Sequence, residues 1–377
     1  MGRINVRASR WQTARGRGEL HAMETILITG GAGFIGASLA MQLQTRGGVR
    51  ILAFDNLKRR GSELNLERLR AADVSFVHGD VRNWADLEDL GKVDWILECS
   101  AEPSVLAGYS GSPCNVVQTN LAGLLNCLEL ARRCGARLIF FSTSRVYPIR
   151  TINGLAYTES ETRFDLAAGE TGPGVSHAGI SEDFPLDGVR SLYGATKLCG
   201  ELMMAEYLHA YGLLGVVNRC GLIAGPWQMG KTDQGVAALW AARHMYGGPL
   251  EYIGFGGEGK QVRDMLHIDD LARLVRLEME QIETVSGRVF NVGGGRFSNA
   301  SLRELTEICV AATGNRLAIA PNPKDRPADI RWYITDHLRV TEATGWKPEK
   351  DVPLIIEDIV RWIADHREVL RPVLAAT

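Results

Sequence analysis

The chain has 377 residues, 45% of them hydrophobic, and its 42 lysines and arginines against 44 aspartates and glutamates leave a net charge of −2. That length and apolar content exclude a disordered chain and suffice for one large domain or two. The near-neutral balance excludes an overall basic field of the kind that draws nucleic acid or a membrane surface. The seven cysteines (Cys99, Cys114, Cys127, Cys134, Cys199, Cys220 and Cys309) are scattered, with no CxxC and no Cys/His cluster at metal-ligand spacing. They read as reduced thiols of a cytoplasmic protein, and no metal is expected.

Residues 1–22 carry five arginines and one acid without a sustained apolar run, so they do not resemble a secretory signal. They read as a disordered or spurious extension ahead of a start at Met23. No run approaches the roughly 18 apolar residues of a membrane span. From Met23 onward short apolar runs alternate with longer amphipathic stretches, the pattern of strand–helix–strand units around a parallel sheet. Strands are predicted at 24–30, 49–55, 74–80, 95–100, 137–143 and 212–219, and helices at 35–46, around 115–134 and after Tyr193. Residues 148–190 lack clear periodicity and are too long for an inert connection, which predicts a lid or substrate loop. Beyond Gly221 the signals become irregular, as in a smaller domain packed over the sheet edge. Function should lie along the C-terminal edge of the strands, where open α/β sheets bind ligands.

TGGAGFIG (29–36) follows a strand and opens a helix, with Gly31, Gly33 and Gly36 in GxGxxG spacing and Gly30, Gly33 and Gly36 in GxxGxxG spacing. Such glycines let backbone N–H groups approach a pyrophosphate at the positive end of a helix. Nineteen residues beyond Gly36, Asp55 ends the second strand, placed to accept hydrogen bonds from an adenosine ribose and to repel a 2′-phosphate. This favours NAD over NADP, although Lys58, Arg59 and Arg60 stand close by. Asp80 ends the third strand and would reach the adenine edge or cap the next helix. Tyr193 and Lys197 in SLYGATK share one helix face, four residues apart.

TGGAGFIG, Asp55, Asp80, FSTSRVY (141–147) and YGATK (193–197) stand in the order of the extended short-chain dehydrogenase/reductase family, and the resemblance runs from Met23 to the end of the chain. It implies an α/β fold, a doubly wound parallel sheet of Rossmann type over 23–220, with a smaller substrate-binding domain over 221–377 interleaved with the sheet. It implies bound NAD, held by Gly30, Gly33, Phe34, Ile35, Gly36, Asp55, Asn56, Asp80, Val81, Asn120 and Lys197. Tyr193 would be the acid/base, Lys197 would lower its pKa and Thr143 would bind the sugar hydroxyl. Moving a phenol from about 10 to about 7 takes roughly 4 kcal/mol, which an adjacent ammonium and a positive nicotinamide in a desolvated cleft can supply.

Sugar-nucleotide 4,6-dehydratases carry an Asp–Glu pair directly after the Thr. Ser144 and Arg145 stand there instead, which points to epimerisation rather than dehydration. ESETRF (159–164), TDQG (232–235), GKQVRDMLHIDD (259–270) and RPADIRWYITD (326–336) are similar to the CDP-paratose 2-epimerases, also called CDP-tyvelose 2-epimerases. By that resemblance Arg263 and Arg331, assisted by Arg326, would grip a nucleotide-sugar diphosphate, and Ser144, Arg163, Arg219 and Gln234 would contact sugar or base. A UDP-sugar 4-epimerase, a UDP-glucuronate decarboxylase and, outside enzymes, an NAD-binding sensor are the competing readings. Departures are Glu98-Cys99-Ser100-Ala101-Glu102-Pro103 where many relatives have His-Leu-Ala, Pro148 in place of Gly, and the insertion 165–181. A homodimer or homotetramer is expected, through the helices at 115–134 and after Tyr193.

Overall fold

The computed structural model describes residues 23–109, 111–230 and 234–375. The extension at 1–22 and residues 231–233 of the KTDQG segment lie outside them.

Seven parallel strands form the central sheet: β1 (Glu24–Thr29), β2 (Val49–Asp55), β3 (Ser75–His78), β4 (Trp95–Glu98), β5 (Arg137–Thr143), β6 (Gly215–Cys220) and β7 (Val289–Val292). Their order across the sheet is β7-β6-β5-β4-β1-β2-β3. It reverses direction between β1 and β4, and at such a switch point a crevice opens outside the carboxyl ends of the strands. Thr29, Glu98 and Phe140 lie side by side there through the registers Thr29↔Glu98 and Glu98↔Phe140.

The strands read as near-continuous apolar runs because helices cover both faces. On one face α1 (Phe34–Gln44) packs with a later helix that precedes β7; on the other lie α2 (Gly123–Cys134) and α3 (Leu192–Tyr211). The predicted helix at 115–134 is broken by a π-helical stretch, Gln118–Ala122, ahead of α2. No described helix is long and apolar enough to cross a membrane.

A second lobe follows β6. It holds a small sheet built from Leu222–Ala224, Val262–His267, Asn299–Ser301 and Trp332–Tyr333. Beside it three helices, α4 (Val236–Tyr246), α5 (Leu302–Thr313) and α6 (Val352–Asp365), pack around a separate apolar core containing Trp240, Leu305, Ile356 and Trp362. The chain does not divide at 220: β7 returns to the sheet edge, and Val340 and Trp346 return again to the sheet's core.

The aperiodic stretch 148–190 folds into a short helix, Ile149–Asn153, and two hairpins, Tyr157–Glu159 with Phe164–Leu166 and Val175–Ser176 with Gly179–Ile180. Gly179 has φ +138°, and a Cβ on it would lie 2.4 Å from the Ile334 carbonyl oxygen, so only glycine permits this approach. Asp165 pairs with Arg296 at 2.8 Å. The insertion is thus anchored on the second lobe.

Candidate active site

The glycine loop between β1 and α1 is as tight as backbone allows. A Cβ on Gly36 would lie 2.2 Å from the Gly30 carbonyl oxygen, and one on Gly30 (φ +61°) 2.9 Å from that of Cys99. The Gly33 N–H closes the turn on the Gly30 carbonyl at 2.9 Å, and the first turn of α1 carries no acidic residue. Its free N–H groups and positive macrodipole therefore face an open backbone cradle that suits a pyrophosphate. Phe34 and Ile35 pack against the core and fix the helix entry.

Asp55 ties this loop to the end of β2, accepting from the Ala32 N–H at 3.1 Å and the Leu57 N–H at 2.7 Å. Burial raises its carboxyl above the ordinary range. Asn56 donates to Asp80 at 2.9 Å; the Arg82 guanidinium, 2.5 Å from Asp80, holds that carboxyl well below the usual range. Val81 is buried against Gly123 of α2. Asn120 spends its amide on the protein, accepting from the Glu102 N–H at 2.7 Å and donating to the Glu102 carbonyl and the Thr196 hydroxyl, both at 3.2 Å. It braces the loop after β4 against α3.

Ser191 caps α3 by accepting from the Gly194 N–H at 3.2 Å. Gly194 lets the helix lie on the turn after β5, since a Cβ there would meet the Arg145 carbonyl oxygen at 2.1 Å. This contact brings Tyr193 close to Thr143 at the end of β5, whose hydroxyl acts on the phenol. Burial raises the Tyr193 phenol, with Lys197, Thr143 and Arg145 acting in the opposite direction. Lys197 is 2% exposed and pairs at 3.5 Å with Glu98, which is 1% exposed. The other Glu98 oxygen accepts from the Ser100 hydroxyl at 2.5 Å.

A cavity of about 390 Å³ opens between the lobes, lined by Arg145, Gln234, Trp240, Leu250, Arg263 and Arg326 among others. Arg145, which acts on the Tyr193 phenol, links it to Tyr193; Thr143, Tyr193 and Lys197 do not themselves line it. Arg263 donates to Asp329 at 2.9 Å and to the Ile330 carbonyl at 2.6 Å, and burial lowers its guanidinium to about 10. Arg145 donates to the Ala328 carbonyl at 3.1 Å, and Arg326 lies 3.8 Å from the same Asp329. Three guanidinium groups around one carboxylate leave an excess of positive charge in a partly desolvated wall. That excess suits a diphosphate.

The other arginines predicted from the sequence are placed elsewhere. Arg331 is packed among Tyr157, Phe164 and Phe255, at 5.5, 5.3 and 5.5 Å from the ring centroids, and does not line the cavity. Arg163 turns to Asn299 and to Glu304, the latter at 3.5 Å, as a brace between the first hairpin and α5. Arg219 is buried beneath the site with Glu201 at 2.7 Å and the Tyr147 hydroxyl at 3.2 Å. Ser144 sits half-buried beside Thr143, its carbonyl accepting from the Tyr147 N–H at 3.3 Å. Gln234 lines the cavity and accepts from Arg59, which also donates to the Met229 carbonyl at 3.1 Å.

Two residues escaped the sequence reading as site groups. Arg145 occupies the place after Ser144 where a dehydratase would hold a carboxyl, and that signal was in view only as an absence. Glu98 replaces an expected His, and only the structure shows that it faces Lys197.

Residues 26–293 match the NAD dependent epimerase/dehydratase family. A CDP-paratose 2-epimerase from Salmonella typhi is 29% identical over 345 residues, covering 89% of this chain and 98% of that protein. A dTDP-glucose 4,6-dehydratase from Xanthomonas campestris is 27% identical over 374 residues, covering 93% and 96%. The crystal structure of the Thermus thermophilus UDP-glucose 4-epimerase with NAD superposes with a TM-score of 0.72 at 26% identity, covering 90% of this chain and 99% of that one.

Proposed function

Within the NAD dependent epimerase/dehydratase family, to which this chain belongs, we propose that it is an epimerase inverting C2 of a CDP-hexose, as in the interconversion of CDP-paratose and CDP-tyvelose. The observation that carries the reading is Arg145. Lys197 and Arg145 are charged side chains that act on the Tyr193 phenol, and Ser144 and Arg145 stand after Thr143 where the second acid/base that elimination of water requires would be. The likeness to the Salmonella typhi enzyme supports the sugar and base.

Gly30, Gly33, Gly36 and Asp55 would hold NAD, which supplies the hydride acceptor and donor. Tyr193 takes the proton from the sugar hydroxyl as the carbon is oxidised. Lys197 stabilises the phenolate, and the Thr143 hydroxyl orients the sugar oxygen. Arg145, Arg263 and Arg326 keep the diphosphate in place while the keto sugar turns within the cavity. Tyr193 then returns the proton to the oxygen, now on the opposite configuration.

The test is a panel of CDP-, UDP- and dTDP-sugars incubated with the purified protein and followed by NMR. A new C2 epimer of a CDP-sugar, with no accumulated NADH, is expected. Inversion at C4 of a UDP-sugar would instead support the second reading, a UDP-sugar 4-epimerase, which the likeness to the Thermus thermophilus enzyme favours. Near-normal turnover by Tyr193→Phe would end both.

A further inference from the structure

We propose that Glu98 is a positioning residue for the Tyr193–Lys197 pair: from the end of β4 its carboxylate fixes the Lys197 ammonium and offsets its charge, so that the phenol keeps its proton in the cofactor-free protein. The proposal deepens the acid/base reading above and rests on it.

The geometry leaves both groups little freedom. The ammonium and the carboxylate are 3.5 Å apart, with side chains 2% and 1% exposed. One Glu98 oxygen takes Lys197 and the other takes the Ser100 hydroxyl at 2.5 Å; Ser100 in turn lies 3.1 Å from the Thr29 hydroxyl of β1. Phe140 of β5 closes the floor, its ring centroid 4.6 Å from the Lys197 nitrogen. An ion pair out of water is retained only when its partners are held this closely.

Every element packed on the pair adds to the balance. Tyr193 faces Lys197 of its own helix, Thr143 of β5, Arg145 of the following turn and Cys220 of β6. Lys197 acts on Cys99 after β4, Cys127 of α2 and Cys220. Burial pushes all three thiols up, which leaves them neutral. Glu98 is the carboxylate that contacts Lys197 itself; Glu278 acts on Cys220, and Asp329 on Arg145. A bare ammonium would act on the phenol as a full charge; paired with Glu98 it acts as a dipole, whose influence falls off faster with distance. Burial of Tyr193 then prevails. The pair is ready to give up its proton only once further positive charge enters the cleft.

The experiment is a tyrosinate difference-absorbance titration of the full-length, NAD-free protein, with Tyr193→Phe subtracted to isolate one phenol. In the unsubstituted protein no Tyr193-dependent step is expected below pH ~10, the ordinary phenol value. Glu98→Gln should lower the midpoint by at least about one unit, and Glu98→Asp, which keeps the charge, by less than about half a unit. Glu98→His, restoring the residue many relatives carry, gives the same test should the Gln variant fold poorly. An unmoved or raised midpoint in the Gln or His variant overturns the proposal. Because no sugar is present, a failed substrate panel leaves this result standing, and a failed titration leaves the epimerase reading standing.

Discussion

The two halves of the site are built in opposite ways. The cofactor side, with the glycine loop, Asp55, Thr143, Tyr193 and Lys197, sits on strand ends and helix starts whose spacing is set by regular backbone geometry. The proposed diphosphate wall takes Arg145 from a 3₁₀ turn, Arg263 from the small sheet and Arg326 with Asp329 from an irregular segment. In the proposed reading, chemistry that tolerates no displacement is carried by rigid elements, and recognition of the bound nucleotide is shared between one strand, which gives Arg263, and irregular segments that can vary without disturbing it.

Substitutions separate the halves by kinetic signature. Tyr193→Phe removes the acid/base and should lower kcat by about 10²–10⁴-fold, with NAD binding and Tm unchanged. Arg263→Ala removes a charge-assisted anion contact, so KM for the nucleotide sugar should rise about 10–100-fold while kcat stays within a few fold. Arg331→Ala provides the contrast. Its guanidinium is enclosed by three aromatic rings, so Tm should fall, by about 1 kcal/mol of stability, with KM nearly unchanged. A KM effect equal to that of Arg263→Ala would return Arg331 to the diphosphate wall.

A pH test reaches the packing beneath the central sheet. Glu278, packed under β6 with Asn218 at 2.9 Å, is pushed by burial from 4.5 to about 8. Its folded value lies above its unfolded one. The stability it contributes is therefore full below about pH 4.5 and lost as pH rises through about 8. Glu278→Gln should flatten the stability profile across that window, by at least ~1 kcal/mol in urea unfolding. The smallest effect is expected of Arg163→Ala, whose partners Asn299 and Glu304 lie outside the cavity wall: KM should change less than about twofold.

Legibility in the sequence followed the same divide. The glycine loop and YGATK could be placed because a tight turn and one helical turn fix where their atoms go. Six of the seven sheet strands were readable as apolar runs, while β7, four residues long, lay in the stretch beyond Gly221 where the signals were irregular. Arg331 and Arg145 show what was not. Arg331 stands one residue ahead of a two-residue strand, where no helical period or strand alternation assigned a face, and its direction is decided by rings from two distant segments, Tyr157 with Phe164 and Phe255. Arg145 reaches the cavity because Gly194 lets α3 press on its turn, a contact between residues far apart in the chain. The stretch 148–190 read as a lid or substrate loop; tertiary contacts of Gly179 with Ile334 and of Asp165 with Arg296 place its insertion 165–181 against the second lobe, and no residue of the stretch lines the cavity.

The interleaving of the chain bears on how such proteins change their substrates. After β6 the polypeptide leaves the sheet, comes back to add β7 at its edge, leaves again, and comes back a last time with Val340 and Trp346. The lobes are consequently not cassettes joined at a single hinge. A new specificity cannot be installed by one recombination crossover near residue 220, because the incoming fragment would also replace a sheet strand and part of the core beneath the glycine loop. A change of specificity is instead open to local replacement within the weave, in which Arg145 and its neighbours can be exchanged while Tyr193 stays where it is.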